Sequence, residues 1–571
     1  MSILNLNKTV TLLTRILDTR TPTEPLISIP RGKPALFPRA SALPLARVLP
    51  EDVGVPSEDV LKFAKKVEEN DTVNIHSVTL VRDGKIFFER AYGDKELGCP
   101  TYVFSCSKSF VSIAIGLLCD EGKLSLDEDI ESIFPKSTGR IAKISRRVVT
   151  VRHLLTMQSG VSFNELDCMA ESEWLRAFIT SAAIGEHGRE FFYNSLNTYC
   201  LAAIVKKRAG MSLTEYLRQK LFSPLGIENV FWELGPEGVE KGGWGLYICA
   251  EDLAKVGIML LNNGKYGEKQ ILSEKYVKDA TTAKVKTPDS LGEFDYGYQI
   301  WTESGRDAFL FNGMLGQNMY VNRENGIICV TFAGNIHAFQ QSDVFTYVNE
   351  HFTKPFQAIC KKTKHTRALK KYQKNKKAFP LFKASARLPK QCTLLDGEEY
   401  SADRESSVGL FPFLMQGMFN NYSTGFIKAG FEISNGKFYL LYCEKEKTFR
   451  LPVGFSSPER AVINYYGDSF AVCVRGAFSR DFRNRLTLDI KCDFSELPST
   501  RFIKFIFTHT GAEMTQTELP GDAVIGSVLR SQADERPDNI LFSTMRDKLG
   551  SELFEYKTST LFSPTLILKK K

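Results

Sequence analysis

The sequence lacks an apolar run long enough to cross a membrane, because no stretch approaches the roughly 18 apolar residues that such a helix needs. It also lacks a recognisable signal peptide, since Lys8 and Arg15 interrupt the only apolar run near its start. Its twelve cysteines form no Cys-x-x-Cys pair and have no histidine partners at zinc spacing. These absences predict a cytoplasmic protein with free thiols, and they give no reason to expect a metal or another cofactor.

A strong excess of one charge is missing as well, since 74 Lys and Arg residues stand against 66 Asp and Glu residues and the net charge is +8. Spread over a chain of 571 residues, this balance does not predict nucleic acid binding. We therefore expect neither nucleic acid nor a membrane as a partner. The sequence leaves the oligomeric state open, and a homo-oligomer is compatible with it.

One segment, CKKTKHTRALKKYQKNKKAF at residues 360–379, carries a concentrated run of positive charge. Such a run is typical either of a patch that binds an anionic surface or of a solvated helical linker between two domains. No binding fold or interleaved set of aromatic residues accompanies it, which favours the linker. We therefore place a basic helical linker at residues 359–380.

What is present divides the rest of the chain into an arm and two domains. Residues 1–50 are rich in proline and predict an extended arm. Residues 51–358 begin with a helical pattern, in which Ser57 is the expected N-cap, and continue with a hairpin signal at Asp83-Gly84. Helical patterns then dominate to about residue 280 and strand patterns return after it, which predicts an antiparallel sheet covered by helices, an α+β fold.

Residues 381–571 read differently, because strand patterns alternate there with turn signals such as Ser434-Asn435-Gly436. Regularly spaced short strands are typical of a sandwich or a closed barrel. We predict an all-β barrel domain for this part of the chain.

The stretch YVFSCSKSFVSIAIGLLCDEGKLSLDEDI, residues 102–130, places polar groups at the start of a strongly apolar helix. Lys108 follows Ser105 by three positions, so both lie on one helix face with Cβ atoms about 5–6 Å apart. A serine hydroxyl is a weak nucleophile that needs a nearby base, and a buried lysine with a lowered pKa can act as one. Ser105 could instead be a simple N-cap. A second Ser-x-x-Lys, Ser434 to Lys437, lies on a predicted hairpin turn and is attributed to chance.

The surrounding sequence favours the catalytic interpretation. The segments SCSKSFVSIAIGLLCDEGKLSLDEDIESIFP, VTVRHLLTMQSGV and GGWGLYICAEDLAKVGIMLLNNGKYGEKQILSEKYV together resemble the serine β-lactamase-related hydrolases. That superfamily includes class C β-lactamases, penicillin-binding DD-peptidases, D-aminopeptidases and β-lactamase-like esterases, and the resemblance covers about residues 55–350. It implies a β-lactamase/transpeptidase-like sheet with flanking helices and an all-helical subdomain. The C-terminal barrel, which we expect to be lipocalin-like, lies outside it.

The resemblance also implies which residues form the site. Ser105 would be acylated and Lys108 would help to activate it. In the segment FFYNSLNTYCLAA, Tyr193 falls on the family's tyrosine, a potential general base. Ser195 falls where Asn is common, and the resemblance assigns it to the substrate side of the site.

A third motif is matched by LFNGMLGQNMYV, in which Phe311 replaces the usual cation and Asn312 and Gly313 follow. Asn312 would bind substrate and Gly313 would let backbone approach it closely. The N–H groups of Ser105 and Met314 would form the oxyanion hole. The aromatic residues of DYGYQIW could either line the pocket or belong to the core; they are Tyr296, Tyr298 and Trp301.

The leading function is therefore a serine hydrolase that forms an acyl-enzyme on a small ester or amide, as an esterase or a D-amino-acid amidase or peptidase. The missing cation argues against penicillin-like substrates and favours neutral acyl groups. The alternative is a catalytically silent scaffold or binding protein that retains the β-lactamase-like fold.

Overall fold

The computed structural model describes residues 22–135, 148–182, 184, 188–336, 343–352, 356, 360–374, 388–521, 524 and 563–571. Within these ranges the helices are α1 Ser57–Glu69, α2 Cys106–Asp120, α3 Ile130–Ile133, α4 Val151–Leu155, α5 Trp174–Thr180, α6 Ser195–Ala209, α7 Leu213–Leu217, α8 Ala250–Leu261, α9 Glu274–Ala280, α10 Asp343–Phe352, α11 Lys364–Lys374, α12 Cys392–Leu395 and α13 Phe413–Phe419. None of these helices has both the length and the apolar character of a membrane span.

The strands of the described residues fall into two large antiparallel sheets and two small ones. Those of the N-terminal part are β1 Ile75–Arg82, β2 Lys85–Ala91, β3 Thr101–Tyr102, β4 Phe231–Trp232, β5 Leu246–Ile248, β6 Lys265–Tyr266, β7 Lys269–Gln270, β8 Phe294–Tyr296, β9 Trp301–Glu303, β10 Ala308–Gly313, β11 Gln317–Asn322 and β12 Ile327–Ala333. Those of the C-terminal part are β13 Glu399–Ala402, β14 Phe426–Ser434, β15 Lys437–Glu444, β16 Thr448–Val453, β17 Glu459–Tyr465, β18 Asp468–Arg480, β19 Leu486–Phe494, β20 Thr500–Phe507, β21 Gly511–Leu519 and β22 Thr565–Lys570.

The first large sheet has the order β2-β1-β12-β11-β10-β9-β8, so strands from both ends of the first domain meet at its centre. Its β1–β2 hairpin turns at Asp83 and Gly84, whose φ angles of 51° and 69° are the left-handed values that such a turn needs. Helix α1 begins at Ser57, but Pro56 occupies the N-cap position, so the predicted cap was one residue off.

The two faces of this sheet are covered by different helices, because alternate residues of a strand point to opposite sides. In β10, Phe309 and Phe311 belong to the core beneath α2, while Ala308 and Leu310 belong to the core beneath α1 and α10. Every residue of α2 from Cys106 to Leu118 is buried. The predicted antiparallel sheet with flanking helices is confirmed.

The second large sheet has ten strands in the order β16-β15-β14-β13-β22-β21-β20-β19-β18-β17. A bridge between Gly454 and Arg475 brings its two edges together, so the sheet is a nearly closed barrel filled with aromatic side chains. The barrel prediction is confirmed. Ser434 and Lys437 pair across the tight β14–β15 turn, as expected for a chance Ser-x-x-Lys.

The barrel packs directly against the first domain through buried charges. Lys95 pairs with Asp493 at 2.7 Å, and Asp94 binds both Arg475 at 2.7 Å and Lys491 at 3.1 Å. Because ions buried in this way need partners at good distances, the two domains are held in a defined relative position.

The N-terminal arm and the basic segment are also packed. Residues 22–49 run without a helix over both domains, and the buried Lys33 pairs with Glu496 of the barrel. In the basic segment, α11 docks on the first domain through the buried Thr366 and Leu369, and its lysine and arginine side chains are exposed to solvent. Residues 359 and 375–380 of the predicted linker lie outside the described residues.

Candidate active site

Ser105 occupies the N-cap position of α2 and is half-buried. Its side chain makes no capping hydrogen bond to the helix. The preceding residue, Phe104, has a φ of 45°, a left-handed value that is uncommon for a residue with a side chain. This turn at the start of a buried helix leaves the Ser105 hydroxyl free for a role other than capping.

Lys108 lies one helical turn further on and points at that hydroxyl. Its Nζ atom is 2.8 Å from Ser105 Oγ, 2.9 Å from Ser195 Oγ and 2.7 Å from the carbonyl oxygen of Gly243. A neutral amine could donate its two hydrogens to Ser195 and Gly243 and direct its lone pair to Ser105. The geometry therefore suits proton transfer from Ser105 to Lys108.

The environment of Lys108 matches that role. Burial lowers the pKa of its amine to about 7, while the nearby Glu165 carboxylate and Cys106 act in the opposite direction. At neutral pH a large fraction of the side chain can therefore be the neutral base, whereas an ordinary exposed lysine would be almost wholly charged.

Ser195 is brought to this centre by the start of α6. Asn194 caps that helix through Leu196 N–H at 2.8 Å and donates to the carbonyls of Val161 and Phe163. The N–H of Ser195 donates to Glu165 at 2.7 Å. The sequence assigned Ser195 to the substrate side; the structure brings it to Lys108, on the activating side of Ser105.

Tyr193 also reaches the centre, through its ring. Lys108 Nζ lies 4.8 Å from the ring centroid, within the range of a cation–π contact. The Tyr193 ring packs on Phe191 at 6.4 Å and on Trp301 at 5.8 Å, and all three side chains are half-buried. These aromatic residues form an apolar wall beside Ser105 and Lys108.

The other two aromatic residues of the DYGYQIW segment are core residues. Tyr296 is buried and packs edge-on against Trp301 at 4.9 Å. Tyr298 is buried and accepts a hydrogen bond from Arg152 at 2.6 Å. Of the three residues considered for the pocket, Trp301 contacts the site most directly.

The end of β10 lies beside the turn that carries Ser105. A Cβ atom on Gly313 would collide with the carbonyl oxygen of Val103, so only glycine allows this close approach. Asn312 and Met314 flank it and are half-buried. The third motif is thus brought to the site at these three positions.

The Phe311 side chain lies in the core beneath α2, and the expectation that it stands where the family has a cleft cation stays a prediction. Its side chain is fully buried and packs against Phe110 of α2 with ring centroids 5.9 Å apart. The physical reason is the period of the strand: Phe311 shares a face with Gly313 but lies two residues earlier, where β10 runs beneath α2.

Two contributors to the site were not found from the sequence, Glu165 and the loop at residues 241–245, KGGWG. A Cβ atom on Gly243 would lie 2.6 Å from Ser195 O, so the loop needs glycine there to reach α6. Gly242 has a φ of 64°, which also favours glycine. The adjacent glycines were the signal available in the sequence.

Comparison with known proteins shows what the first domain is similar to. Residues 63–335 match the family model described as Beta-lactamase, as the sequence resemblance predicted.

The curated relatives match over different lengths. Protein flp of Staphylococcus aureus (strain N315) is 27% identical over 183 residues, which is 29% of this chain. The match spans only 36% of that relative's length. The 6-aminohexanoate-dimer hydrolase of Paenarthrobacter ureafaciens is 24% identical over 346 residues, covering 53% of this chain and 85% of the relative.

Among solved structures, the octameric penicillin-binding protein homologue from Pyrococcus abyssi aligns with a TM-score of 0.40 and 17% identity. The alignment covers 80% of this chain and 99% of that one.

Proposed function

We propose that the first domain is a serine hydrolase that forms an acyl-enzyme on a small ester or amide, with Ser105 as nucleophile and Lys108 as its activating base. The observation that carries this proposal is the 2.8 Å separation between Lys108 Nζ and Ser105 Oγ at a half-buried helix start. A nucleophile and a base within hydrogen-bond reach, with the base oriented by further groups, are the signature of covalent catalysis.

In the proposed reaction, neutral Lys108 accepts the Ser105 proton while Oγ attacks the substrate carbonyl. The resulting oxyanion accepts hydrogen bonds from the N–H groups of Ser105 and Met314, each of which is worth about 3–4 kcal/mol in the transition state. The proton then passes to the leaving alcohol or amine as its bond to carbon breaks. Water repeats the sequence on the acyl-enzyme and releases the acid.

Ser195, Gly243 and Tyr193 belong to the activating unit in this proposal. The hydroxyl of Ser195 and the carbonyl of Gly243 accept hydrogen bonds from the Lys108 amine, and the Tyr193 ring lies over that amine. Tyr193 keeps the general-base role expected from the resemblance, as a partner of Lys108. Asn312 remains the proposed polar contact to the substrate at the end of β10.

The proposed substrate is small, with an uncharged, largely apolar acyl group. The half-buried rings of Phe191, Tyr193 and Trp301 offer apolar surface next to the nucleophile. The relative named 6-aminohexanoate-dimer hydrolase supports a small-molecule amide or ester substrate. A cytoplasmic location stays part of the proposal, supported by the twelve free cysteines, of which only Cys119 and Cys360 are not fully buried.

The deciding experiment is reaction of the purified chain with a fluorophosphonate probe, followed by intact-mass measurement. One added probe per chain is expected, and a panel of short-chain esters, D-amino-acid amides and a cephalosporin should then separate esterase, amidase and lactamase activities. No added mass and no turnover on the panel would favour the silent scaffold that retains the fold.

A further inference from the structure

Lys241 is a buried cation that lies between the first domain and the barrel. Its side chain is 2% exposed, and it pairs with Glu233 of the same domain at 2.7 Å. Its Nζ atom also donates to the carbonyl oxygen of Met418, in helix α13 of the barrel, at 3.3 Å. The rings of Trp244 and Phe419 lie near it, each with its centroid 5.8 Å from Nζ. Lys241 therefore joins the two domains at a single buried point.

Helix α13 is itself fixed at both ends. At its start, Glu518 accepts the N–H of Phe413 at 2.7 Å and pairs with the buried Arg501 at 2.8 Å. At its end, Arg31 of the N-terminal arm donates to the carbonyls of Phe419 at 2.9 Å and Asn420 at 2.7 Å. The carbonyl of Met418 is thus presented to Lys241 from a rigid support.

The same lysine begins the loop that reaches the proposed base. Gly243 N–H donates to the carbonyl of Lys241 at 2.6 Å, and the Gly243 carbonyl then accepts from Lys108 at 2.7 Å. The Lys241 N–H in turn donates to the Glu233 carbonyl at 2.9 Å. Only one residue separates the anchored lysine from the carbonyl that orients Lys108.

We propose that Lys241 is a positioning residue through which helix α13 of the barrel holds the Gly243 carbonyl against Lys108. This gives the barrel a role in the reaction and rests on the proposed function of the first domain. Lys241 does not touch the reacting atoms in this proposal. It acts by fixing where the amine of Lys108 points.

The test replaces the buried pair with a neutral pair, Lys241→Met with Glu233→Gln, so that no unpaired charge is left in the interface. The chain offers a matched control in Lys255→Met with Asp252→Asn, another buried pair of the first domain at 2.9 Å. Lys255 bonds to Ser41 and the Gly226 carbonyl, away from the 241–245 loop. Both variants are compared in the full-length chain.

The measurement is the rate constant of fluorophosphonate acylation per labelled chain, recorded from pH 5 to pH 9. For the Lys241 pair we expect full final labelling but acylation slower by about 10-fold to 100-fold, as for a misplaced catalytic group. The rise of the acylation rate with pH should also shift to lower pH. The Gly243 carbonyl accepts a hydrogen bond from the charged Lys108 amine and favours that form, so loss of this bond lowers the pKa of Lys108. The groups that otherwise face Lys108, namely Glu165, Cys106 and Tyr193, are unchanged in both variants.

The control pair should leave both the rate per labelled chain and its pH dependence unchanged. Lys241→Arg, which keeps the charge, should recover most of the rate. Phe419→Leu should slow acylation in the same direction and, if the double variant fails to fold, serves as the substitute test. The positioning role would be overturned if final labelling fell while the acylation rate constant and its pH dependence stayed unchanged. Equal effects in the control pair would overturn it as well. Absence of labelling in the wild type would instead reject the proposed function itself.

Discussion

The Nζ atom of Lys108 lies 2.8 Å from the Oγ atom of Ser105, one turn apart at the start of the same buried helix. The helix fixes the spacing, and Ser195 and Gly243 fix the direction of the amine. This arrangement gives a serine hydroxyl, a base with a lowered pKa and a rigid frame.

Lys108 and Tyr193 should act as one unit. We expect Lys108→Ala to slow acylation by about 10³-fold and Tyr193→Phe by about 10²-fold, within the usual range for loss of general-base catalysis. Since both residues serve the same step, the double variant should lose little more than Lys108→Ala alone. Losses that multiply to about 10⁵-fold would show that the two residues act independently.

The pH dependence of kcat/KM should report the titration of Lys108. The neutral amine is the active form, so the rate should rise with pH through the lowered pKa of about 7 and then level off. Because the Glu165 carboxylate raises that pKa, Glu165→Gln should move the rising limb to lower pH. The exposed Glu228→Gln is the control and should leave the limb in place. A limb that moves to higher pH in Glu165→Gln would contradict this electrostatic assignment.

Phe311 should matter for stability and not for substrate choice. Its ring is fully buried against Phe110, so Phe311→Ala should lower the free energy of unfolding by about 3–5 kcal/mol. The ratio of kcat/KM values for matched esters with and without a carboxylate should change by less than about twofold, since no pocket contact changes. Denaturant unfolding and ester kinetics on the same preparation check both parts. A marked change in this ratio of kcat/KM values would show that Phe311 takes part in substrate choice.

Wild-type enzyme should prefer uncharged acyl groups, because a carboxylate in a partly dry cleft is costly without a paired charge. The half-buried Met314, beside Gly313, is the position at which a cation can be added. Met314→Lys should shift kcat/KM towards the carboxylate-bearing ester by about 10-fold, and Met314→Leu should not. A wild type that already prefers the carboxylate ester would require a cation elsewhere in the cleft.

The sequence predicted the parts of the site that are set by local spacing. Ser105 and Lys108 are three residues apart in a strongly apolar helix, so the period of the helix places them together. The hairpin at Asp83-Gly84 was predictable for the same reason, since two left-handed residues between strand patterns specify the turn.

Other parts depend on contacts between distant segments. Gly243 meets Lys108 across 135 residues, and Met418 meets Lys241 across 177, so no local pattern marks either pair. The side to which Phe311 points follows from where β10 passes beneath α2, which requires the packed sheet. The proposed contribution of the barrel to the site could not be predicted either, because the strand pattern of the barrel does not indicate which residues contact the first domain.

The most direct test of the central claim is the identity of the residue that the fluorophosphonate modifies. Wild-type chain, Ser105→Ala and Ser434→Ala are labelled in parallel and the modified peptide is mapped. Ser434 is the matched control, since it has the same Ser-x-x-Lys spacing but lies at a barrel turn. We expect one label on Ser105 in the wild type and in Ser434→Ala, and none in Ser105→Ala at an unchanged melting temperature. A label that persists in folded Ser105→Ala, on any other residue, would contradict this expectation.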